Sequence, residues 1–338
     1  MSQSVIVISS EAGMDTFLTK IRSNAAVAVA VRSLHVTSSH RTLSIPTLRE
    51  CLRRLKFLED LELTLCGVSG AGWGQLLRGI RFRHLELLYT NASHAALTAF
   101  IHHHPTIVYL KIDQCMPGLS SCPLKAAALP ALSDIAAPAS CVSSIVDGNP
   151  VARVLATQLT DRDVRLPSVT LLASLASSSV AIDVLQIDID PTNFDILDRI
   201  AKAAPYISAL NLIEKDQPSF RAYPRGRRAW KDTRSWAKGL KRLTQLNTLS
   251  LRTSTPLTAI PGNEVQEAIV VRRWSGLIFA NNRPAPASNS HPTLRHIQLQ
   301  YVDNGVNYQS QWDRDRIAWF RTIASVSEEG DIVDVMSD

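Results

Sequence analysis

Long apolar runs and a secretory leader are both missing from this sequence of 338 residues. A membrane-spanning helix needs about 20 mostly apolar residues. The longest stretch without Lys, Arg, Asp or Glu, from Leu87 to Leu110, contains four histidines together with Asn91 and Ser93. Residues Met1 to Ser10 have neither a basic start nor a small-residue cleavage site. We therefore expect a soluble protein of the cytoplasm or nucleus, with no membrane partner.

Aromatic residues are scarce, at 6% of the chain, although hydrophobic residues make up 45%. The content of apolar side chains is that of a globular protein, which excludes wholesale disorder. Because so few of them are aromatic, we expect the core to be mainly aliphatic.

Cysteine pairs with metal-ligand spacing are also missing. The five cysteines stand at positions 51, 66, 115, 122 and 141, none of them in a CxxC pair. This spacing and the odd count argue against a disulfide framework or a structural zinc site. The run His102-His103-His104 directly precedes Pro105, which indicates a helix end rather than a metal site. The sequence thus predicts no metal and no cofactor.

Catalytic signatures are missing as well. The sequence contains no GxSxG or HExxH motif. Glycines at 67, 70, 72 and 74 approach a phosphate-binding loop, but the GxGxxG pattern fails at Gln75 and no GK[ST] follows. We therefore predict no catalytic residues and no enzyme activity.

A repeated pattern is present: an apolar residue, two others, an apolar residue, one other, and an apolar residue. Copies begin at Val31, Leu58, Phe82, Ile107, Ile182, Ile207, Leu246 and Leu294, with weaker copies at Leu129 and Val151. Successive starts are commonly roughly 25 residues apart, within the range of leucine-rich repeats. The spacers show helical periodicity, as in Leu48, Cys51 and Leu52. This alternation predicts strand-and-helix units that bury their apolar sides by stacking.

Two further features recur in register with this pattern. Cys66 and Cys115 each follow their repeat start by eight positions, where the leucine-rich-repeat template has Asn or Cys. We expect both thiols to be buried at turns and therefore inert. The segments His104-Pro-Thr-Ile107 and His291-Pro-Thr-Leu294 also occupy matching positions. Their prolines would end the preceding helix and lead into a strand.

The pattern resembles leucine-rich-repeat proteins, and its irregular spacing resembles the repeat region of fungal F-box/leucine-rich-repeat proteins. The segments Leu129 to Pro138 and Trp236 to Leu240 have the cadence of that family. The resemblance implies an α/β solenoid, a horseshoe with a parallel concave β-sheet and convex helices, irregular in its C-terminal half. In that family the repeats select proteins for ubiquitination, and an F-box binds the ligase scaffold. The residues before the first repeat contain no recognisable F-box, so a ligase scaffold is not implied as a direct partner.

The spacing also predicts how the chain is organised. Residues 1–30 form an N-terminal cap segment, and residues 31–325 an irregular solenoid with insertions near 213–235 and 254–292. Asp313 to Ser325 has the periodicity of a terminal helix with Ile317, Phe320 and Ile323 inward. Residues 326–338 form an acidic, flexible tail.

A concave binding face follows from the alternation of side chains along each strand. We expect these positions to bind an unidentified protein partner, which would make the chain an interaction scaffold or a substrate-recognition adaptor. The alternative interpretation is that they are ordinary strand positions exposed to solvent. The candidates are Asp60, Glu62, His84, Glu86, Tyr109, Lys111, Asp113, Gln186, Asp188, Asn211, Arg252, His296, Gln298 and Gln300.

A basic segment at residues 221–242 suggests a second function, the binding of nucleic acid or an acidic surface. Tyr223, Trp230 and Trp236 interleave with its cations, a pattern used to bind phosphates and bases. However, Trp236 shares a helical face with Leu240 and Leu243, which favours a core tryptophan and a solvated charged side. The candidate patch consists of Arg221, Arg225, Arg227, Arg228, Lys231, Arg234 and Lys238.

Overall fold

A computed structural model describes residues 4–38, 43–115, 122–126, 128–157, 167–214, 228–279, 281–315 and 318–328. Strands and helices alternate along the chain, as the repeat pattern predicts. The chain divides into two compact units, Met1–Gln158 with Ala173–Val180, and Leu159–Leu172 with Ala181–Asp338. The expected α/β architecture with a predominantly parallel strand arrangement is thereby confirmed.

The first unit contains strands that pair in parallel in the order of the chain. The strands are β1 (Ser4–Ile8), β2 (Val31–Ser38), β3 (Asp60–Leu65), β4 (Leu87–Thr90), β5 (Tyr109–Ile112), β6 (Asp134–Pro138) and β7 (Arg153–Thr157). The helices are α1 (Glu11–Ser23), α2 (Ala25–Ala30), α3 (Ile45–Arg54), α4 (Gly70–Leu77), α5 (His94–His102) and α6 (Ala139–Ile145), with a 3-10 helix at Pro123–Ala126.

The core of the first unit is built from rows of aliphatic side chains that cross the strands. One row joins Leu34, Leu61, Leu88, Leu110, Ile135 and Val154 through successive strand pairs. All of them are buried. Each strand alone would expose its member of the row, so burial depends on the neighbouring strands, as in repeat proteins.

Two predicted repeat starts are displaced by three residues. The repeat expected at Phe82 begins at Leu85, because β4 starts at Leu87 and its inward residue is Leu88. Likewise, the weaker copy expected at Leu129 begins at Leu132 and continues with Ile135 in β6. The earlier apolar residue is buried in each case, but it belongs to the turn that precedes the strand.

Helix α7 (Pro167–Leu175) has its residues up to Leu172 in the second unit and the rest in the first. The second unit also contains four strands that pair in parallel. These are β8 (Val184–Ile189), β9 (Ala209–Glu214), β10 (Thr248–Thr253) and β11 (His296–Asp303). The helices between them are α8 (Ile196–Ala203), α9 (Thr233–Leu240) and α10 (Glu264–Trp274), with 3-10 helices at Ala229–Lys231 and Ala287–Asn289. Helix α10 lies within the predicted insertion at 254–292, and its residues Val271 and Trp274 are buried.

The predicted terminal helix at 313–325 is wrong. The chain instead forms β12 (Val306–Asp315) and β13 (Ala318–Glu328), which pair antiparallel after β11. Asn304 and Gly305 connect β11 to β12 with positive φ angles of 50° and 77°, as a two-residue Asn-Gly hairpin requires. Phe320 and Ile323, expected inward, are exposed. Ile317, residues 329–338 of the acidic tail and residues 215–227 of the first insertion lie outside the described residues.

Candidate functional site

Two rows of side chains form the surface of the first-unit strands that lies opposite the aliphatic row. The strand register aligns Val5, Ser33, Asp60, Leu87, Tyr109, Asp134 and Arg153 in one row, and Val7, His35, Glu62, Tyr89, Lys111, Ala136 and Leu155 in the other. We call these two rows the first-unit face. Because strand side chains alternate, every member points away from the aliphatic row.

The structure places most of the predicted first-unit candidates on this face. Asp60, Glu62, Tyr109 and Lys111 belong to its rows, and Asp113 follows the end of β5. The predicted placement of His84 and Glu86 on strand β4 is wrong. His84 lies in the preceding turn and stacks on Phe57, while Glu86 immediately precedes the strand.

Because the repeat start is displaced by three residues, the sequence does not predict Leu87 and Tyr89 as members of the face. They occupy the positions beside Asp60 and Glu62 that were predicted for His84 and Glu86. His35, Asp134 and Arg153 were also missed. In β2 the repeat pattern identifies only the apolar positions, and in β6 its predicted start lies three residues before the observed one. The signal for Tyr89 is the shifted repeat that starts at Leu85. In that repeat Leu88 pairs with Leu61, and the next residue, Tyr89, pairs with Glu62.

A polar network connects β2 and β3 on the first-unit face. Ser33 Oγ donates a 2.7 Å hydrogen bond to Asp60 Oδ2, and His35 Nε2 lies 2.9 Å from the same oxygen. The other ring nitrogen of His35, Nδ1, is 3.6 Å from Glu62 Oε2. One imidazole thus lies between two carboxylates at the surface.

Tyr89 is held from two sides in the middle of the face. Its hydroxyl donates a 2.9 Å hydrogen bond to Asp113 Oδ2, and Lys111 Nζ lies 4.1 Å from the centre of its ring. Burial, together with the hydrogen bond to Asp113, raises the pKa of Tyr89 to about 12. The tyrosine is therefore an uncharged hydrogen-bond donor with a fixed ring orientation at neutral pH.

The corresponding face of the second unit is rich in uncharged amide side chains. One row joins Gln186, Asn211, Ser250, Gln298 and Gln311, and the next joins Asp188, Ile213, Arg252, Gln300 and Gln309. The predicted candidates of this unit all lie in these rows, apart from His296. That residue lies in the row beside them, with Nδ1 2.5 Å from Asp313 Oδ1. Asn211 Nδ2 donates a 2.8 Å hydrogen bond to Gln186 Oε1.

The predicted basic patch does not form as a single surface. Arg228 is only 3% exposed, with its Nη1 3.1 Å from Glu214 Oε1. The backbone N–H of Ser254 donates to the other oxygen of Glu214 at 2.7 Å. Arg228 is thus the partner of a buried carboxylate rather than a surface cation. Arg221, Arg225, Arg227 and Tyr223 lie outside the described residues.

Tryptophans of this segment are not available as stacking platforms. Trp236 is buried on helix α9, which confirms the core position predicted from its helical spacing. Trp230 is also buried, and its ring centre lies 6.5 Å from that of Trp236. The interleaved aromatic pattern here therefore reflects core packing.

A basic cleft does exist nearby, although the predicted patch contains only part of it. Arg234 and Lys238 of α9 line a cleft of about 660 Å³ together with Lys241, Arg273 and Phe279. None of the described residues that line this cleft is acidic. Lys231, the remaining predicted cation, is half-buried on the 3-10 helix before α9.

The cysteines depart from the expectation of buried, inert thiols. Cys66 is exposed, and Cys115 is half-exposed. Cys115 lies in a group with Cys122, Cys141 and His94, whose ligand-type atoms all lie within 4.8 Å of one another. Sequence spacing missed the group because its members follow three different strands, so no short motif contains them.

No protein-family model matches this chain, and no curated protein matches it either. Among the described residues, every helix is too short or too polar to cross a membrane. The class of this protein is therefore defined by its fold alone, in which mainly parallel strands alternate with helices in a repeat-like order.

Proposed function

We propose that this chain is a protein-binding repeat protein, resembling leucine-rich-repeat proteins, that holds its partner on the first-unit face. The observation that carries the proposal is the composition of that face. Exposed Val5, Val7 and Leu87, at 53%, 69% and 41%, share its two rows with Tyr89 and Tyr109. Apolar and tyrosine contacts among polar groups are typical of protein interfaces.

The fixed orientation of the polar groups supports the same proposal. Tyr89 is held by Asp113 and Lys111, and Arg153 Nε lies 3.2 Å from Asp134 Oδ1. Side chains that are already ordered lose less conformational entropy when a partner binds. The carboxylates of Asp60 and Glu62 favour a basic or amide group of the partner at the β2–β3 side of the face.

A quantitative comparison of captured partners tests this proposal. We expect Tyr89→Ala/Tyr109→Ala to lose a partner that the wild-type chain retains, with its affinity falling by about 30-fold or more if one tyrosine is a hot spot worth about 2 kcal/mol. The matched control is Tyr206→Ala, which removes an exposed tyrosine of the second unit that is outside both rows. Equal retention of every partner by both variants would contradict the assignment of this face.

The finer role, a substrate-recognition adaptor for ubiquitination, rests on the resemblance to F-box/leucine-rich-repeat proteins alone. The capture experiment also addresses it. Co-purification of a ligase scaffold that survives the double tyrosine substitution would support an adaptor with separate scaffold and substrate surfaces. A partner set without a scaffold would leave the chain as an interaction protein outside that pathway.

One observation favours a second function, the binding of a polyanion in the basic cleft. The cleft is surrounded by Arg234, Lys238, Lys241 and Arg273, and the described residues that line it include no acidic one. Because Trp230 and Trp236 are buried, binding would depend on phosphates rather than on base stacking. Fluorescence anisotropy with a single-stranded oligonucleotide should show an affinity that falls steeply with salt and is lost in Lys238→Glu/Lys241→Glu. The same loss in Lys20→Glu/Lys56→Glu, a matched charge change in the first unit, would show a nonspecific charge effect instead.

A further inference from the structure

The group formed by His94, Cys115, Cys122 and Cys141 has the donor set of a structural zinc site. Zinc in proteins is bound by thiolate sulfur and imidazole nitrogen in a tetrahedron, and three cysteines with one histidine are among its common ligand sets. All four ligand-type atoms lie within 4.8 Å of one another, so together they enclose the volume of a single ion.

Three distances within the group agree with tetrahedral zinc bound at His94 Nδ1. Bonds of about 2.3 Å to sulfur and about 2.0–2.1 Å to nitrogen place two tetrahedral sulfurs about 3.8 Å apart and a sulfur about 3.6 Å from the nitrogen. Cys122 Sγ lies 3.8 Å from Cys141 Sγ and 3.6 Å from His94 Nδ1. Cys115 Sγ lies 3.9 Å from the same nitrogen. Cys141 Sγ lies 3.6 Å from Nε2, the other ring nitrogen, so this distance shows that Cys141 is close to the ring but does not measure the tetrahedron.

The fold explains why these four residues meet. His94 follows β4 by four residues, and Cys115 and Cys141 follow β5 and β6 by three residues each. Because these strands are parallel neighbours, the segments that leave them emerge at the same edge. Cys122 completes the group from the position directly before the 3-10 helix Pro123–Ala126.

A metal would stabilise the connection between β5 and β6. The connection from β3 to β4 contains helix α4 and the connection from β4 to β5 contains helix α5. Between β5 and β6, the described residues contain only the 3-10 helix Pro123–Ala126. A zinc ion would join this connection to the first turns of α5 and α6 and so supply a cross-link between them.

Burial argues for a closed, structural site and against ordinary thiol packing. His94, Cys122 and Cys141 are almost completely buried, and four protein ligands leave no open position for a substrate. Cys51 shows the alternative within the same unit. It is equally buried, but its sulfur contacts Met14 Sδ at 3.8 Å and has no place in any cluster of metal-ligand side chains among the described residues.

From these observations we infer that His94, Cys115, Cys122 and Cys141 bind one zinc ion that holds the β4–β6 edge of the first unit together. Binding requires the thiols as thiolates, so zinc uptake by the reduced protein releases protons to the solvent. Neither an oxidant nor a catalytic step is involved. The four ligands lie outside both rows of the protein-binding face, so loss of the zinc site and loss of that face can be tested separately.

Metal analysis of the full chain, purified without added chelator, tests the inference. Inductively coupled plasma mass spectrometry should find one zinc per chain. After removal of the zinc under reducing conditions, Co²⁺ should bind in its place and give the visible absorption of a tetrahedral thiolate site. Both measurements are made on the wild-type protein, so they do not depend on whether a variant folds.

Substitution then identifies the ligands against matched controls. Cys122→Ser and His94→Ala should reduce the zinc content from one per chain to near zero. Cys51→Ser removes an equally buried thiol, and Cys66→Ser an exposed one; both should keep one zinc per chain. Circular dichroism shows whether each variant remains folded.

Three outcomes would overturn the inference. One is a folded wild-type protein that contains no zinc and binds none after reduction. Another is a thiol count of three under denaturing conditions, which would indicate a disulfide such as Cys122–Cys141 in place of the metal. The third is the loss of zinc from Cys51→Ser or Cys66→Ser to the same extent as from Cys122→Ser, with circular dichroism showing all three variants folded.

Discussion

Leu87 and Leu88 are adjacent residues with the same side chain on opposite surfaces of strand β4. Leu88 is 1% exposed and belongs to the aliphatic row, whereas Leu87 is 41% exposed and belongs to the first-unit face. Substituting each with alanine removes the same atoms from two different environments. The comparison therefore tests the register of the repeat and, with it, the identity of the face.

We expect Leu88→Ala to lower the free energy of unfolding by about 2–5 kcal/mol, because it leaves a cavity in a closely packed row. Leu87→Ala should change it by about 0.5 kcal/mol or less, as for other surface substitutions. Only one of the six tryptophans, Trp73, belongs to the first unit. Urea denaturation should therefore be followed by circular dichroism together with hydrogen exchange of first-unit peptides, rather than by tryptophan fluorescence alone.

The reverse ranking of the two variants would refute this register. It would mean that the triplet Phe82-Leu85-Leu87 defines the strand, as the sequence pattern alone suggests, and that Tyr89 does not lie on the face. Under the proposed function, Leu87→Ala should also weaken partner capture while leaving stability unchanged. Leu88→Ala should affect capture only to the extent that it unfolds the unit.

Two further predictions concern buried polar groups. Arg228→Met should lower the free energy of unfolding, measured in urea, by about 3–5 kcal/mol, because it leaves the buried Glu214 carboxylate without its cation. Arg234→Met, on the exposed side of α9, should lower it by about 0.5 kcal/mol or less. Equal losses in the two variants would show that the ion pair is unimportant. Burial lowers the pKa of His104 and His291 below the usual 6.5, so the unfolded chain binds protons more readily, and the free energy of unfolding should fall as the pH falls below about 6.5, by up to about 1.4 kcal/mol per pH unit for each histidine. Glutamine at both positions should reduce this slope between pH 7 and 5.5, and an unchanged slope would contradict the assignment of neutral, buried rings.

The strands with strict alternation could be predicted from the sequence. In β3, β8 and β9, buried and half-buried residues alternate without exception. The apolar triplets beginning at Leu58, Ile182 and Ile207 consequently mark these strands correctly. Their inward residues must be apolar because neighbouring strands cover them, so the pattern reflects a physical requirement.

The register of β4 could not be predicted because the turn before several of the strands also buries a residue. This residue lies three positions before the repeat start, as Leu55, Phe82, His104, Leu129 and Leu243 do. Two overlapping apolar patterns result, one starting at Phe82 and one at Leu85. The exposed Leu87 completes the pattern that starts at Phe82, which is the wrong one. The recurring histidine has the same place: the His104 ring accepts the N–H of Phe82 at Nε2, 2.9 Å away, and lies 2.7 Å from the carbonyl of Phe100 at Nδ1.

The C-terminal strands were missed for a different reason. Ile317, Phe320 and Ile323 have helical spacing, but the preceding Asn304-Gly305 is a strong hairpin signal that carries more information than three apolar residues. In β13, Phe320 and Ile323 are exposed while Trp319 is buried, its Nε1 donating to Ser275 Oγ at 3.0 Å. The tertiary contact of Trp319 therefore favours the strand over a helix at these residues, and such a contact is not visible in the local sequence pattern.

The candidate zinc site and the first-unit face meet at the end of β5. Asp113, which holds the Tyr89 hydroxyl, is two residues before Cys115 and is joined to β4 by the hydrogen bond from its N–H to the carbonyl of Thr90. A metal bound by Cys115 would fix the backbone that carries Asp113, and so would hold Tyr89 in place from outside the face. We therefore expect zinc removal to increase hydrogen exchange in β5 and to weaken partner binding less than Tyr89→Ala does. Unchanged exchange in β5 after complete zinc removal would mean that the metal and the face act independently.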